Sequence, residues 1–446
     1  SQQAPAPATH YLTPGLLALG APDIPAGYRC LYRATNNELF AVVGKNVYYV
    51  SVTYQFTLLG TITDRLTNVA MADNGTDIML VDGSSDGWTI NLATHVLTQI
   101  TDPAFYGSVN VDYLDGFFVL NKPGTRIFYI SLFNDIAFDA LDVVERTGGS
   151  DPIAAIWVIS REAWIIGTQT TEIWYNAGDA NFALAPVQGA FVDLGTIAPR
   201  SVARLGDKLF WLQQDKNGFG TIAMSEGYGA KKISTFGIDD EIQGYALVSD
   251  AVGFCYQIKG HAFYQLTFPN EDVTWVYDLA MDEWHERASI DGNGVLHRHR
   301  ASCGVYAYGK NIVGDFQNGI LFSQEKDTYT DNGVPIVRLR SWPHFTKNGI
   351  MVEYQEFALD MAVGTQPSSI GGVDSEGPLI SLRWSDTKGK SYGNAVTQGL
   401  GGAGEYGLQV NWNNLGQARD RVFELSWSGN HSAVLNQAYI TAVPVE

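Results

Sequence analysis

The stretch from Gly260 to Arg287, GHAFYQLTFPNEDVTWVYDLAMDEWHER, sets the pattern for the chain. His261–Thr267 alternates apolar and polar residues and is rich in aromatics, which predicts a strand with one buried face. Pro269-Asn270-Glu271-Asp272 interrupts it, because proline donates nothing to a ladder and Asn and Asp favour turns. Val273–Asp278 is the next strand, Leu279–Asp282 turns the chain, and Glu283–Ala288 is a third strand carrying Trp284.

Variations on this unit fill most of the sequence. Tyr28–Arg33, Leu39–Val43, Asn46–Val52 and Phe56–Ile62 form a first set of strands. Leu66–Ala72, Asp77–Asp82, Gly87–Leu92 and Val96–Ile100 form a second. Val109–Tyr113, Phe117–Asn121 and Arg126–Ser131 form a third, and Ile153–Ser160, Ala163–Gly167, Thr170–Tyr175 and Phe182–Gln188 a fourth. Ser201–Leu205, Lys208–Gln213, Gly220–Met224 and Ala230–Thr235 make the fifth. The sixth runs through Gly244–Val248, Ala251–Ile258 and the three strands just described, and the seventh is Ala301–Tyr308, Asn311–Asp315 and Gly319–Ser323. Asn74-Gly75 and Asp115-Gly116 sit where hairpins need positive φ.

A period of roughly 40–55 residues with about four strands is that of a β-propeller blade. The pattern predicts an all-β protein, a propeller of six or seven blades over residues 28–330, with stacked β-sandwiches as the competing architecture. Residues 1–27 read as an extended arm, with Gln2-Gln3-Ala4-Pro5-Ala6-Pro7 lacking a core of its own and Tyr11–Leu19 ending in a strand that pairs elsewhere. After Asn332-Gly333 the strands lengthen: Ile336–Trp342, Val352–Ala362, Leu379–Ser385, Gly407–Trp412, Val422–Trp427 and Ala438–Val443, with a Gly/Ser-rich loop at Gly364–Gly377. Residues 331–446 are therefore expected to form a smaller antiparallel β-sandwich domain.

Composition supports strands and turns: 22 Tyr, 21 Phe, 11 Trp and 47 Gly among 446 residues. A net charge of −19 argues against gripping nucleic acid through clustered Lys and Arg. Cys30, Cys255 and Cys303 are scattered and read as reduced core thiols. No apolar run is long enough to span a bilayer as a helix, and neither membrane contact nor a signal peptide is expected.

Candidate chemistry is thin. Gly83-Ser84-Ser85-Asp86-Gly87 matches the nucleophile-elbow pattern, yet the strand Trp88-Thr89-Ile90 follows where a helix is needed. Gly402-Ala403-Gly404-Glu405-Tyr406-Gly407 matches a dinucleotide fingerprint but also leads into a strand. In His297-Arg298-His299-Arg300, alternate residues of a strand would face one way, so the histidines could share a metal near Cys303; an exposed basic rim or subunit contact, joined by Arg338 and Arg340, is the reading preferred. Asp239, Asp240 and Glu241 read as a charged loop, and no carboxylate pair suited to a glycosidase can be chosen by spacing. Asn74-Gly75-Thr76 and Asn430-His431-Ser432 match the glycosylation triplet, without any sign of secretion. Neither catalytic residues, nor a metal, nor a cofactor is expected.

Several segments, in their order along the chain, resemble the packaged-DNA stabilisation proteins of short-tailed bacteriophages, also called tail hub or nozzle proteins. They are Thr13-Pro14-Gly15-Leu16, Tyr32-Arg33-Ala34, Leu39-Phe40-Ala41-Val42, Tyr113-Leu114-Asp115-Gly116-Phe117-Phe118-Val119, Gly167-Thr168-Gln169-Thr170-Thr171-Glu172-Ile173-Trp174-Tyr175-Asn176, Gly189-Ala190-Phe191, Phe210-Trp211-Leu212, Ile233-Ser234-Thr235 and the stretch Gly260–Arg287. The resemblance spans roughly residues 10–290. It implies a structural virion protein and not an enzyme, a homo-hexameric ring below the portal and its adaptor ring, contacts with other tail proteins (fibre, spike or needle), and double-stranded DNA passing through without sequence-specific binding. It also implies residence in the host cytoplasm during assembly and in the virion afterwards. Two alternatives come from other classes. One is a propeller-fold glycan-binding or glycan-hydrolysing protein. The other is a kelch-like interaction module, suggested by Trp275-Val276-Tyr277-Asp278 and Trp284 but lacking the doubled glycines of kelch strands.

Overall fold

The computed structural model describes residues 13–65, 67–214, 218, 220–361, 379–401, 404–429 and 434–445. The chain forms two compact units, Ala18–Ser323 and Gln324–Glu446 joined by the described residues up to Leu17. The sequence features at Gln2–Pro7, Leu66, Gly364–Gly377, Gly402-Ala403 and Asn430-His431-Ser432 lie outside the described residues.

The first unit is a propeller of seven sheets. Blade one is Tyr28–Arg33, Leu39–Val43, Asn46–Val50 and Phe56–Thr61; blade two is Ala70–Asp73, Asp77–Val81, Gly87–Asn91 and Leu97–Gln99. Blade three is Val111–Leu114, Phe117–Asn121, Ile127–Ser131 and Phe138–Glu145; blade four is Ile153–Ile159, Glu162–Gly167, Thr171–Asn176 and Leu184–Val192. Blade five is Ala203–Leu205, Lys208–Gln214, Gly220–Glu226 and Gly229–Lys232; blade six is Val252–Ile258, His261–Phe268, Val273–Asp278 and Glu283–Glu286. In each of these the four strands pair in chain order. Blade seven takes Ala301–Ala307, Lys310–Asp315 and Leu321–Glu325 from the end of the propeller segment, and its fourth place is filled by the N-terminal strand Gly15–Gly20.

The second strand of each blade explains why the blades need one another. Leu39–Val43 is buried at every position, and Asp77–Val81 and Phe117–Asn121 are buried at all but the first. Such strands read as continuous apolar runs because neighbouring blades cover both faces. Apolar clusters join blades one and two through Phe40 and Ile78, two and three through Met79 and Phe118, and three and four through Phe128 and Ile156. Further clusters join four and five through Trp164 and Trp211, and five and six through Phe210 and Tyr264. Blades seven and one meet around Tyr28, Leu39, Ile312 and Leu321, with Leu19 of the N-terminal strand packed against them. The ring thereby closes.

Polar links reinforce the seams. The Asp73 carboxylate accepts from Tyr32 Oη at 2.6 Å and from the Thr35 hydroxyl at 2.5 Å, tying blade two to blade one. Asp112 accepts from the Val158 amide at 2.7 Å, and Trp284 donates to the Ile233 carbonyl at 2.8 Å. Arg146, wholly buried, is held by the Thr170 and Asp151 carbonyls at 3.0 and 2.6 Å and by the Asp151 carboxylate.

Three local expectations change. Gly244–Val248 is not a strand: the helix Phe236–Gln243 precedes it, with Ile238 and Ile242 one turn apart and both buried against the core of blades five and six. Asp239, Asp240 and Glu241 therefore lie on a helix, not in a loop, and Asp239 is buried and paired with Lys232. Blade three has a fourth strand, Phe138–Glu145, whose mostly solvated acidic sequence hides it; only Phe138 is buried there.

The second unit is a β-sandwich. Arg338–Ser341, Asp420–Trp427, Leu379–Ser385 and Val396–Gly399 form one sheet in that order, with Phe345–Thr346 also on Asp420–Trp427. The other is Val410–Asn413, Val352–Met361 and Gln417–Ala418, with Leu435–Pro444 along Val352–Met361. Phe357, Ile380, Leu382, Trp412, Phe423 and Leu425 fill the space between. Arg421, 2% exposed, is embedded in this core. Its fork donates to both Asp386 oxygens at 2.6 and 2.8 Å and to the Leu415 carbonyl at 2.7 Å, with the Tyr354 ring 4.6 Å away.

Two outcomes follow from this packing. Arg421→Met removes a buried cation and leaves the Leu415 carbonyl without this donor, while Asp386, 44% exposed, returns to water; it should destabilise the sandwich by about 1–3 kcal/mol; earlier hydrogen exchange in Asp420–Trp427 with increasing urea would read this, and unchanged exchange would contradict it. Removing the chain up to Gly20 strips blade seven of its fourth strand. The propeller's melting temperature should fall by about 5–10 °C, whereas a full-length midpoint in the truncated chain would show that the strand does not close the ring.

Candidate functional site

The connectors that lead into the inner strands gather at one end of the propeller, and arginines concentrate there. Arg29, the second residue of the inner strand of blade one, donates from Nε to the Thr67 carbonyl at 2.5 Å and from Nη1 to the Gly44 and Thr63 carbonyls at 3.2 and 3.3 Å. Its Nη2 lies 3.5 Å from the buried Asp82 carboxylate. Arg65 reaches the same carboxylate at 3.5 Å and Asp86 at 3.2 Å. Arg200, at the turn before blade five, donates to the Asn68 carbonyl before blade two at 2.9 Å, so it links connectors far apart in the ring. Arg204 pairs with Asp112 at 3.3 Å and donates to the Val158 carbonyl at 2.5 Å. Burial pulls the Arg29 guanidinium below its ordinary value despite Asp82, and pulls Arg200 down to about 10.

A cavity of about 380 Å³ opens among these connectors, between blades one, six and seven. Its wall includes Arg29, Asp64, Arg65, Arg298, His299 and Phe316. Arg298 lies over the Phe316 ring, 4.0 Å from its centroid. His299 Nδ1 faces two donors, Gln265 Nε2 and the Ala301 amide, both at 3.4 Å. That assigns the ring proton to Nε2, which is buried and has no hydrogen-bond partner among the described residues. Burial, with Arg287 and Arg300 adding to it, holds His299 down at about 3, so the ring is neutral at ordinary pH.

This cavity borders the seam between blades six and seven, where buried polar groups sit beside apolar ones: Phe254 of blade six packs next to Gly304 and Val313 of blade seven. Gln265 and His299 are buried there, and Arg287 stacks on Tyr256 and Phe263 at 5.4 and 5.8 Å. The inner strands approach closely: a methyl on Gly304 would fall 2.6 Å from the Phe254 ring.

The motifs singled out in the sequence resolve into structure. Ser85 of Gly83–Gly87 is an exposed turn residue between two strands of blade two, while Ser84 donates to Asp82 at 2.5 Å. Gly404 has φ of 90° in a loop before Val410–Asn413, not at the start of a helix. Asn74 uses its side-chain oxygen to accept from the Thr76 and Asp77 amides in a hairpin turn. Trp275, Tyr277 and Trp284 are core elements of blade six, with Tyr277 and Trp284 directly paired.

The basic cluster at 297–300 does not turn its two histidines to one face. His297 is partly exposed and bonds Asp272 at 2.6 Å, while His299 is 2% exposed and faces Gln265. Arg300 pairs with the buried Asp315 at 2.8 Å. Among the described residues no group of three His, Cys, Asp or Glu could hold a metal. Arg338 is buried and Arg340 exposed, on the sandwich sheet. The three cysteines are free, and burial pushes all three thiols up. Sequence reasoning passed over Arg29, Arg65 and Arg200. Their common signal is position: each lies at, or in the connector leading to, an inner strand, a place visible only once blades are delimited.

No curated protein matches the chain. Solved structures similar to it include one described as "Crystal Structure of Mitotic Checkpoint Complex", at 10% identity over 73% of this chain and 95% of that chain with a TM-score of 0.45. Another is "Crystal structure of WD40 beta propeller domain of Doa1", at 11% identity over 70% and 98% with a TM-score of 0.43. The sequence profile of the phage stabilisation family, described as "Bacteriophage P22 Gp10, beta-propeller", matches residues 11–329, from just before the N-terminal strand to the end of blade seven. The chain belongs to this family, the packaged-DNA stabilisation proteins that its motifs resemble.

Proposed function

We propose that the chain is a tail hub, or nozzle, subunit of a short-tailed phage. In this reading six copies form a ring below the portal and its adaptor, around the channel through which DNA passes. The observation that carries the reading is family membership over residues 11–329. Physical properties support it. A closed ring of seven packed blades is stiff, and it offers connector loops and hairpin turns on two faces for contacts with neighbours. The net charge of −19, with most of the acidic excess in propeller residues, disfavours adhesion to phosphate and lets a duplex slide past. The motifs that resemble catalytic signatures are hairpin turns or loops, so the proposed work is holding and sealing.

The test uses particles assembled without this protein. Purified chain added to them should sediment with the particles and protect their DNA from nuclease. A chain that stays in the supernatant and leaves the DNA equally sensitive would overturn the assignment. The free chain should also fail to retain duplex DNA at about 0.15 M salt; retention comparable to that of a basic DNA-binding domain would contradict passage without adhesion.

A further inference from the structure

We infer that two uncharged stretches of the propeller's rim are the surfaces through which successive copies of this chain meet. One is the joint outer edge of blades one and two, the other the outer edge of blade four. The inference rests on the proposed ring of six copies and assigns its contacts. Its basis is a contrast among free edges. Among the described residues, the outer strand of each of blades one to six pairs on one side only. In blade seven Thr330–Asp331 pairs beyond the outer strand, at Leu16. A free edge is ordinarily guarded by charge, because an unguarded one invites another chain. Blades three, five and six follow that rule: their outer strands carry Asp139, Asp142 and Glu145, then Lys231 and Lys232, then Glu283 and Glu286. Blades one, two and four do not. No charged residue occurs from Asn46 to Thr63 or from Ala180 to Val192, and only His95 can carry charge from Gly87 to Thr101.

These edges present apolar groups instead. Val52, Leu58 and Val96 are 66, 54 and 56% exposed, and Tyr175 and Phe191 of blade four 43 and 40%. The edges of blades one and two are continuous, since a methyl on Gly60 would fall 3.0 Å from Leu97. Copies of net charge −19 repel one another, and burying a charge at a contact adds a desolvation cost. Contact is therefore favoured where charge is absent and aliphatic or aromatic side chains stand out. The two patches differ, as a head-to-tail contact requires. Their midpoints lie two and a half blades apart, about 130° around a seven-bladed propeller. A closed ring of six needs about 120° between the two contact faces of a subunit, with the propeller axis along the ring axis. Blade three occupies the arc between them, so Asp139, Asp142 and Glu145 face the lumen, where they repel a passing duplex.

The experiment uses particles assembled without this protein and counts the copies bound per particle after sedimentation. Leu58→Glu and Phe191→Glu each place a carboxylate on one patch. Met281→Glu places one outside both, at a turn of blade six where the side chain is 46% exposed. Wild type and Met281→Glu should load equally, whereas Leu58→Glu and Phe191→Glu should each load about tenfold fewer copies at limiting protein. All three replace exposed side chains, and a wild-type circular-dichroism melting curve certifies the fold. Where a variant melts early, a chain carrying Leu58→Cys and Phe191→Cys replaces it, and a short bis-maleimide should link its copies on the particles into a ladder. Full loading of either patch variant, equal loss in Met281→Glu, or no ladder would overturn the pairing and leave the hub reading intact. Failure of the wild type to load would overturn the hub reading itself, and the pairing with it.

Discussion

The structure depends on one packing constraint: a blade whose second strand is apolar on both faces cannot stand alone. Leu39–Val43 has no polar side chain to turn toward water. It must be covered by blade two on one side and blade seven on the other, and every blade inherits the same demand until the ring closes. Closure is then a problem of chain ends. Three strands of blade seven come late in the sequence and the fourth from Gly15–Gly20, so neither end of the propeller segment can peel away without breaking a sheet. The tyrosines at this junction serve the same end: Tyr308 donates to the Val50 carbonyl at 2.7 Å and accepts from the Leu39 amide at 3.0 Å.

Much of the architecture was legible in the sequence because hairpin turns and aromatic strands repeat at blade spacing. Asn74-Gly75 and Asp115-Gly116 lie at their expected turns, with Gly75 at φ of 87° and Asp115 and Gly116 both at positive φ. The stretch Gly260–Arg287 forms three paired strands nearly as its alternation predicts. What stayed hidden was settled by distant parts of the chain. The strand Phe138–Glu145 is polar because it is an outer edge, and the helix Phe236–Gln243 is too short to declare itself by periodicity. His297 and His299 seemed to share a face by alternation. The short strand Leu296–Arg298, which pairs with Ala288–Ile290, ends before His299, however, so the two rings face different surroundings. The arginine-lined cavity assembles residues from both ends of the propeller segment and could not be read from any local window.

A propeller whose blades close on one another would suit the proposed sealing role, since contacts made by its loops need not be offset by ordering a floppy chain. The most direct test is amide hydrogen exchange on the free chain compared with the chain in assembled particles. In the free chain Ala18–Gly20 and Leu321–Ser323 are expected to exchange as slowly as the strands of blades one to six, with assembly adding protection only in connectors, turns and the outer strands of blades one, two and four. Fast exchange in blade seven of the free chain, slowing only on assembly, would contradict it and show that partners close the ring.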